Sequence, residues 1–534
     1  MSGDNLVFTV FSCVACMAVV ALISYLKTRG TAGTQEGYFL AGRGLTGTFI
    51  AGSLLLTNLS AEQLIGLNGS AYGFNMTAMA WEVTAGIAII VMALVFLPKY
   101  LRGAFTTLPQ FLEDRFDPSV RRLSAILFLL GYGLVTIPSV LYSGSLAVLK
   151  LFDIPSLLAV SYQAGLVITI LTIGVVGGIY AVFGGLRAVA VSDTINGVGL
   201  LIIGALVPLL GLYALGDGSI AAGWQYVVSH EPQKLNAIGS ADDPVPIATL
   251  FTGMILANLF YWGTNQYVIQ RTLGAKNLAE GQRGVLLSGF FKLLIPFFMM
   301  LPGIIAFHLF GGQLEHIDLA YPTLVATVLP SYLAGFFLAV LLGAVFSSFN
   351  SLLNSAATLF CLDIYQPLIK RKIADRELVR IAKITSIVIA VFSFLAAPLL
   401  QYAPEGLWQI IRIFTGFYNI PVIALVLVGL FTKRVPANAA KVAVAFHLIA
   451  YAALQFGIDT GIHFIHLYAI LFVIEVGIML VWGKFKPAQQ LWEFSNNAVV
   501  DMTPWRYAYP TAGLLVVCIV LLYFVFSPAG LAAT

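Results

Sequence analysis

Apolar residues fall in long blocks separated by short polar connections from one end of the chain to the other. A helix needs about 20 mostly apolar residues to cross a bilayer. Fourteen stretches meet that need: 6–26, 45–70, 76–98, 123–149, 161–183, 193–216, 247–270, 285–310, 323–365, 381–400, 404–430, 435–457, 459–482 and 509–527. The pattern predicts an all-α polytopic membrane protein, with one transmembrane domain over 1–534. The ninth stretch exceeds one straight crossing and is expected to tilt or carry an extra turn. The first has no small-residue cleavage site, and its cations follow it, which predicts a retained helix rather than a signal peptide.

Composition narrows the class further. Of the 534 residues, 59% are hydrophobic and 10% charged, against roughly a quarter charged in soluble domains. That excludes a disordered chain, a coiled coil and a secreted disulfide scaffold. Cys13 and Cys16 form a C-x-x-C inside an apolar stretch, where helix packing is the expected role rather than redox chemistry. The six histidines show no metal-ligand spacing, and P-loop, G-x-S-x-G and H-E-x-x-H patterns are absent. The 28 Lys and Arg residues set an orientation. With both termini outside, twenty-four lie in inner connections, Arg271 among them, and two, Lys150 and Lys234, in outer ones. Such an excess marks the cytoplasmic side. Lys292 and Arg412 are left at membrane depth.

Charged groups in a bilayer cost about 2.5–3.5 kcal/mol each on insertion scales, and persist where they face a cavity or a partner. The second stretch holds Thr57-Asn58-Leu59-Ser60-Ala61-Glu62-Gln63, followed by Gly66, Gly69 and Gly73. This fits a helix broken near mid-membrane whose freed carbonyls line a cavity; a buried helix with its polar groups paired is the alternative. Five spans later, Ala257-Asn258-Leu259-Phe260-Tyr261-Trp262-Gly263-Thr264-Asn265-Gln266 is interrupted in the same way. Two broken helices five spans apart suggest two inverted five-helix repeats, 45–216 and 247–430, framed by the first helix and by three more over 435–527. Glu82, Lys292, Arg412 and Asp193 are the other out-of-place charges; Lys292 either pairs with a buried carboxylate or donates to a hydroxyl. Glu475 reads as structural. The ninth stretch clusters Ser347, Ser348, Asn350, Ser351, Asn354, Ser355 and Thr358. Such hydroxyls often only bond their own backbone or allow close packing, but at this density they also suit coordination of a small hard cation.

In its ordered motifs the chain resembles the sodium/solute symporters, most closely the bacterial sodium–galactose type. The likeness runs through Ala41-Gly42-Arg43-Gly44-Leu45, Thr57 to Gln63, Ser139 to Tyr142, Gly184-Gly185-Leu186, Asn258 to Gln266, Gln270-Arg271-Thr272-Leu273, Leu301-Pro302-Gly303, Ala320-Tyr321-Pro322 and Asn354-Ser355-Ala356. It implies fourteen helices around a five-plus-five inverted-repeat core. It implies a sodium site of Leu56, Leu59 and Ala344 carbonyls with Ser347 and Ser348 hydroxyls. Asp193 matches an aspartate tied to sodium coupling, with Asn350 and Ser351 where some members hold a second ion; Asn350 departs from the hydroxyl seen there. The implied sugar site is Gln63, Glu82, Asn258 and Lys292, with Tyr261 as an inner aromatic gate backed by Trp262. Leu67, Trp81 and Trp408 fall at the outer gate, Trp81 in place of a tyrosine. Ala85 replaces a serine and Arg412 a glutamine. An arginine there either reads a substrate carboxylate or pairs with Glu82.

The expectation is therefore sodium-coupled monosaccharide symport by alternating access in a cell (inner) membrane, with sodium and a small sugar as ligands. A symporter for a sugar acid, such as a uronate or sialate, or for another small organic solute is the alternative. A membrane enzyme lacks a nucleophile–base pair or metal cluster, and a membrane sensor would carry a soluble domain, which is not expected after the last span.

Overall fold

The structure is a computed structural model that describes residues 3–28, 35–369, 374–402, 407–494 and 496–533. Arg29, Lys370, Arg371 and Lys372, counted above among the inner cations, lie outside the described residues, as does 404–406 at the start of the eleventh stretch. Helices dominate the described residues from end to end. Ten are long and apolar enough to cross a membrane, or twelve if each of two bent pairs is one span. The segments 162–178 and 253–273 cover the expected fifth and seventh stretches but are too short or too interrupted to count by length.

The second stretch breaks where its polar run lies. Gly47–Asn58 and Ala61–Gly73 meet at 55°, with Leu59 non-helical (φ −79, ψ 74) and Ser60 in the extended backbone of an N-cap. The seventh breaks at Thr264–Asn265, between Gly253–Gly263 and Gln266–Leu273. A third break was not expected: the eighth stretch bends by 49° between Leu278–Lys292 and Ile295–Phe310. Pro296 sits at the second position of the resumed helix, where its missing N–H and its clash with the preceding turn end the first helix. The ninth stretch corrects its expected start. Residues 323–328 belong to the separate helix Ala320–Val328. Leu329 is extended (ψ 123) ahead of Pro330, and the long helix runs Ala334–Thr358 before loosening into a π-helical turn at Leu359–Tyr365.

Tyr162–Leu215 is helical over 54 residues, about 81 Å if straight. Yet a Cβ on Gly177 would meet Phe346 at 2.8 Å, while one on Gly343 would meet Asn196 at 2.8 Å. Residues 177 and 196 thus touch one turn of the same neighbouring helix, although straight helix would hold them about 28 Å apart. The element therefore contains two legs that double back, Tyr162–Gly178 and Val189–Leu215, matching the fifth and sixth stretches.

Burial is uneven among the spans. Met76–Gly103, Pro118–Phe152, Ser331–Ile369 and Leu407–Phe431 have 61–78% of an 18-residue apolar stretch buried. The N-terminal Val7–Lys27 has 17%, the C-terminal Ala437–Gly457, Phe464–Phe485 and Ala508–Val525 have 22–39%, and Val189–Leu215 and Asp375–Tyr402, at the edge of the core, have 39% and 22%. Their exposed faces carry Phe11, Ile449, Val473 and Phe524, as surfaces turned to hydrocarbon do. Within the core, backbones approach closely: a Cβ on Gly303 would lie 2.1 Å from the Asn68 carbonyl oxygen, so only glycine lets the eighth span cross the second there.

Candidate functional site

The broken spans meet at their interruptions. Asn58, last residue of Gly47–Asn58, donates its side-chain N–H to the Tyr261 hydroxyl at 3.1 Å. Glu82, 2% exposed, lies at the centre. Lys292, the residue before the bend in its own span, donates to Glu82 Oε2 and to Asn58 Oδ1. Gln63 Nε2 donates to Glu82 Oε1 at 3.1 Å. Lys292 Nζ also stands 5.4 Å from the Trp262 ring centre. Asn258, expected beside them, donates to Thr84 Oγ1 at 3.2 Å. Gln63, Glu82 and Lys292 are thus one hydrogen-bonded cluster. Tyr261 joins it through Asn58, and Asn258 is anchored from the Glu82-bearing helix.

Arg412 approaches from the Leu407–Phe431 helix. Its guanidinium lies 4.6 Å from the Trp81 ring and 4.0 Å from the Trp408 ring, an arrangement that holds a planar cation by its faces. Its Nη2 is 3.9 Å from Glu82 Oε1, an ion-pair contact beyond hydrogen-bond length, and its buried Nε has no partner among the described residues. Trp408 also lines a cavity of about 390 Å³ with Gly66, Asp243, Asp318 and His463. Leu67 and Trp81 are buried.

A second charged cluster gathers around Ser53, earlier on the same helix as Asn58. Asp193 and Arg271 are both fully buried, with Arg271 Nη2 3.7 Å from Asp193 Oδ2. Ser53 bridges them, accepting from Arg271 Nε at 2.7 Å and donating to Asp193 Oδ2 at 2.7 Å. Arg271 also donates to Ser351 Oγ, and Ser351 donates to the Ser347 carbonyl at 2.6 Å. This corrects the placement of Arg271 in an inner connection: it is a core residue of Gln266–Leu273, compensated by Asp193 rather than by water.

Between the clusters, polar atoms are left over. Ser60 N–H, which would bond the Leu56 carbonyl in an unbroken helix, donates to Asn58 O at 2.9 Å instead. Ser347 Oγ, Ser348 Oγ, Thr57 Oγ1, Asn350 Oδ1 and Asp193 Oδ1 are buried without a partner among the described residues. Leu59 and Ala344 are buried as well, and Gly47–Asn58 packs on Ala334–Thr358. Native interiors leave few buried polar groups unpaired. No group of three or more His, Cys, Asp or Glu that could hold a metal occurs among the described residues.

A model of the sodium:solute symporter family matches residues 38–446. The chain belongs to the sodium:solute symporter family. Among its relatives, an uncharacterized symporter of Escherichia coli, YidK, is 46% identical over 89% of this chain and 83% of its own. The sodium/glucose cotransporter of Vibrio parahaemolyticus is 33% identical over 78% of each chain. The fold resembles that of a substrate-bound, outward-open sodium-coupled sialic acid symporter, with a TM-score of 0.78 and 23% identity over 91% of this chain and 99% of that one. It is thus an all-α, multi-pass symporter fold of the inverted-repeat type, sodium-coupled rather than enzymatic.

The symporter also has a device that spacing did not reveal. Three carbonyls of the Arg412-bearing helix accept side-chain hydrogen bonds from the C-terminal helices: Arg412 O from Tyr468, Ile413 O from Tyr451 at 2.7 Å, and Gly416 O at 3.0 Å from His447 Nε2. His447 Nδ1 in turn contacts Glu475 Oε1 at 2.5 Å, so Glu475 has a structural partner. Replacing Arg271 with Leu is expected to destabilise the folded protein by about 3–5 kcal/mol, because Asp193 is left buried and uncompensated. Thermal unfolding of the detergent-purified variants checks this: Arg271→Leu with Asp193→Asn should lose less than Arg271→Leu alone.

Proposed function

We propose that this symporter carries sodium and a monosaccharide, galactose- or glucose-like, into the cell by alternating access. The observation that carries the reading is the Gln63–Glu82–Lys292–Asn58 cluster, sealed between two broken spans and offering donors and acceptors suited to several hydroxyls of one ring. A relative named for glucose supports it. Asn258 and Tyr261 complete the sugar site, Tyr261 as the inner gate; Leu67, Trp81 and Trp408 close the outer one. The ion site is the freed Leu56 and Leu59 carbonyls, the Ala344 carbonyl, and the Ser347 and Ser348 hydroxyls, whose lack of protein partners fits an oxygen-seeking monovalent cation. Asp193, with Asn350 and Ser351, couples ion binding to the core.

Sodium entering from outside joins the broken span to the Ala334–Thr358 helix, stabilises the outward-facing state and sets Gln63 and Glu82 for sugar. The outer aromatics close and the repeats, 45–216 and 247–430, rock about the site. One charge moving through 100 mV supplies about 2.3 kcal/mol, roughly fiftyfold accumulation before any sodium gradient. The Lys and Arg distribution supports an inner membrane location with both termini outside.

The unpaired Nε of Arg412, held between Trp81 and Trp408, favours a second reading: a sugar acid whose carboxylate the guanidinium reads. Competition with uronates, sialates, galactose and glucose separates the two. A carboxylate reader predicts that the acids compete and that Arg412→Gln abolishes their competition; a neutral-sugar site predicts that only neutral sugars compete. Lys292→Ala and Gln63→Ala should abolish uptake in proteoliposomes while the protein still inserts, and normal sodium-driven uptake in both would remove the substrate site proposed above. Ser348→Ala should raise the sodium concentration for half-maximal uptake about tenfold or more, with an unchanged requirement placing the ion elsewhere.

A further inference from the structure

Two apolar spans, Met76–Gly103 and Leu407–Phe431, end beside each other, and between their ends lies a cavity of about 740 Å³ lined by Lys99, Arg102, Phe431, Lys433, Trp492 and Glu493, among others. Three cations and one carboxylate among these residues leave a net positive surface. None of the three cations makes a salt bridge among the described residues. Lys99 Nζ rests 4.6 Å from the Phe431 ring centre, and Phe431 is 63% exposed, so an apolar wall adjoins the charges.

The cavity is built rather than incidental. Its outer wall is the stretch after Phe464–Phe485, stitched by backbone bonds to both rims: Asn497 N to Arg102 O at 2.8 Å, Trp492 N to Lys433 O at 3.3 Å and Ala488 N to Arg434 O at 2.8 Å. Trp492 Nε1 donates to Asp114 Oδ2 at 3.1 Å, and the Arg115 guanidinium lies 5.5 Å from its ring. Arg115 fixes the other rim as well, donating to Gly429 O at 3.0 Å and Val435 O at 3.2 Å. The positively charged side chains are therefore held open at the level where spanning helices meet headgroups.

We propose that this cavity binds the headgroup of an anionic glycerophospholipid, its phosphodiester between Lys99, Arg102 and Lys433 and its acyl chains along Phe431. Charge complementarity and the end-of-span position select this occupant: basic pockets between helices at the cytoplasmic face recognise lipid phosphates. The lipid would bridge the Glu82-bearing span to the Arg412-bearing one.

Native mass spectrometry of the full-length protein titrated with phosphatidylglycerol tests this, with phosphatidylcholine, glycerol 3-phosphate and inorganic phosphate as parallel probes. The wild type should retain phosphatidylglycerol in preference to phosphatidylcholine. Lys99→Ala/Arg102→Ala/Lys433→Ala should weaken retention roughly a hundredfold, while Lys484→Ala/Lys486→Ala, which removes two exposed cations outside the cavity, leaves it unchanged. Thermal unfolding in phosphatidylcholine alone shows that the triple variant is folded; if it is not, Lys433→Glu read in the same titration takes its place. Equal retention of the two lipids, loss in the Lys484/Lys486 control, or displacement of the lipid by either soluble phosphate at equal concentration would overturn the assignment.

Discussion

Unwinding a helix inside a bilayer leaves main-chain groups that water cannot satisfy, and the core of this symporter is arranged around three such places. At Leu59–Ser60 the chain stops being helical and redirects by 55°. Asn58 and Gln63, on either side of that break, reach Lys292 and Glu82, while Ser53, earlier on the same helix as Asn58, reaches Asp193 and Arg271. Both ion pairs are buried, and each is held by neutral hydrogen-bonding partners, Gln63 and Asn58 in one and Ser53 and Ser351 in the other. A buried pair adds little stability over an apolar replacement, but losing one member is costly. The charges therefore fix geometry: they tie helices from distant parts of the chain to the first broken span, while the Ser347 and Ser348 hydroxyls stay buried and unpaired among the described residues.

The frame has a mechanical part in this. The C-terminal helices keep only a minority of their residues fully buried, yet His447, Tyr451 and Tyr468 reach inward to carbonyls within one turn of the helix that carries Arg412. A Cβ on Gly416 would lie 2.6 Å from the Tyr451 hydroxyl, so glycine at that position lets the frame approach the core closely. The orientation of Arg412 and Trp408 is thereby tied to helices outside the proposed repeats.

Much of this was legible in the sequence because polar residues in an apolar run are conspicuous. Thr57 to Gln63 and Asn258 to Gln266 marked two breaks, and Glu82, Lys292 and Arg412 announced themselves as charges at membrane depth. The bend after Lys292 was not legible, since Pro296 lies among leucines and phenylalanines whose hydropathy reads as one continuous span. Arg271 was hidden for the opposite reason: in a polar stretch between two spans it looks like an inner loop cation, and only the fold brings Asp193 to it from 78 positions earlier. The pairing of His447 with Glu475 was equally out of reach, because it joins different helices and has no spacing signature.

The account rests on the ion at the first break making solute binding favourable. The direct test is uptake by the purified protein in proteoliposomes, across a panel of neutral hexoses and sugar acids, with an inward gradient of sodium, potassium or choline. Accumulation of at least one sugar with sodium, and none with the other two cations, is the predicted result. Equal accumulation of that sugar with potassium or choline would contradict it.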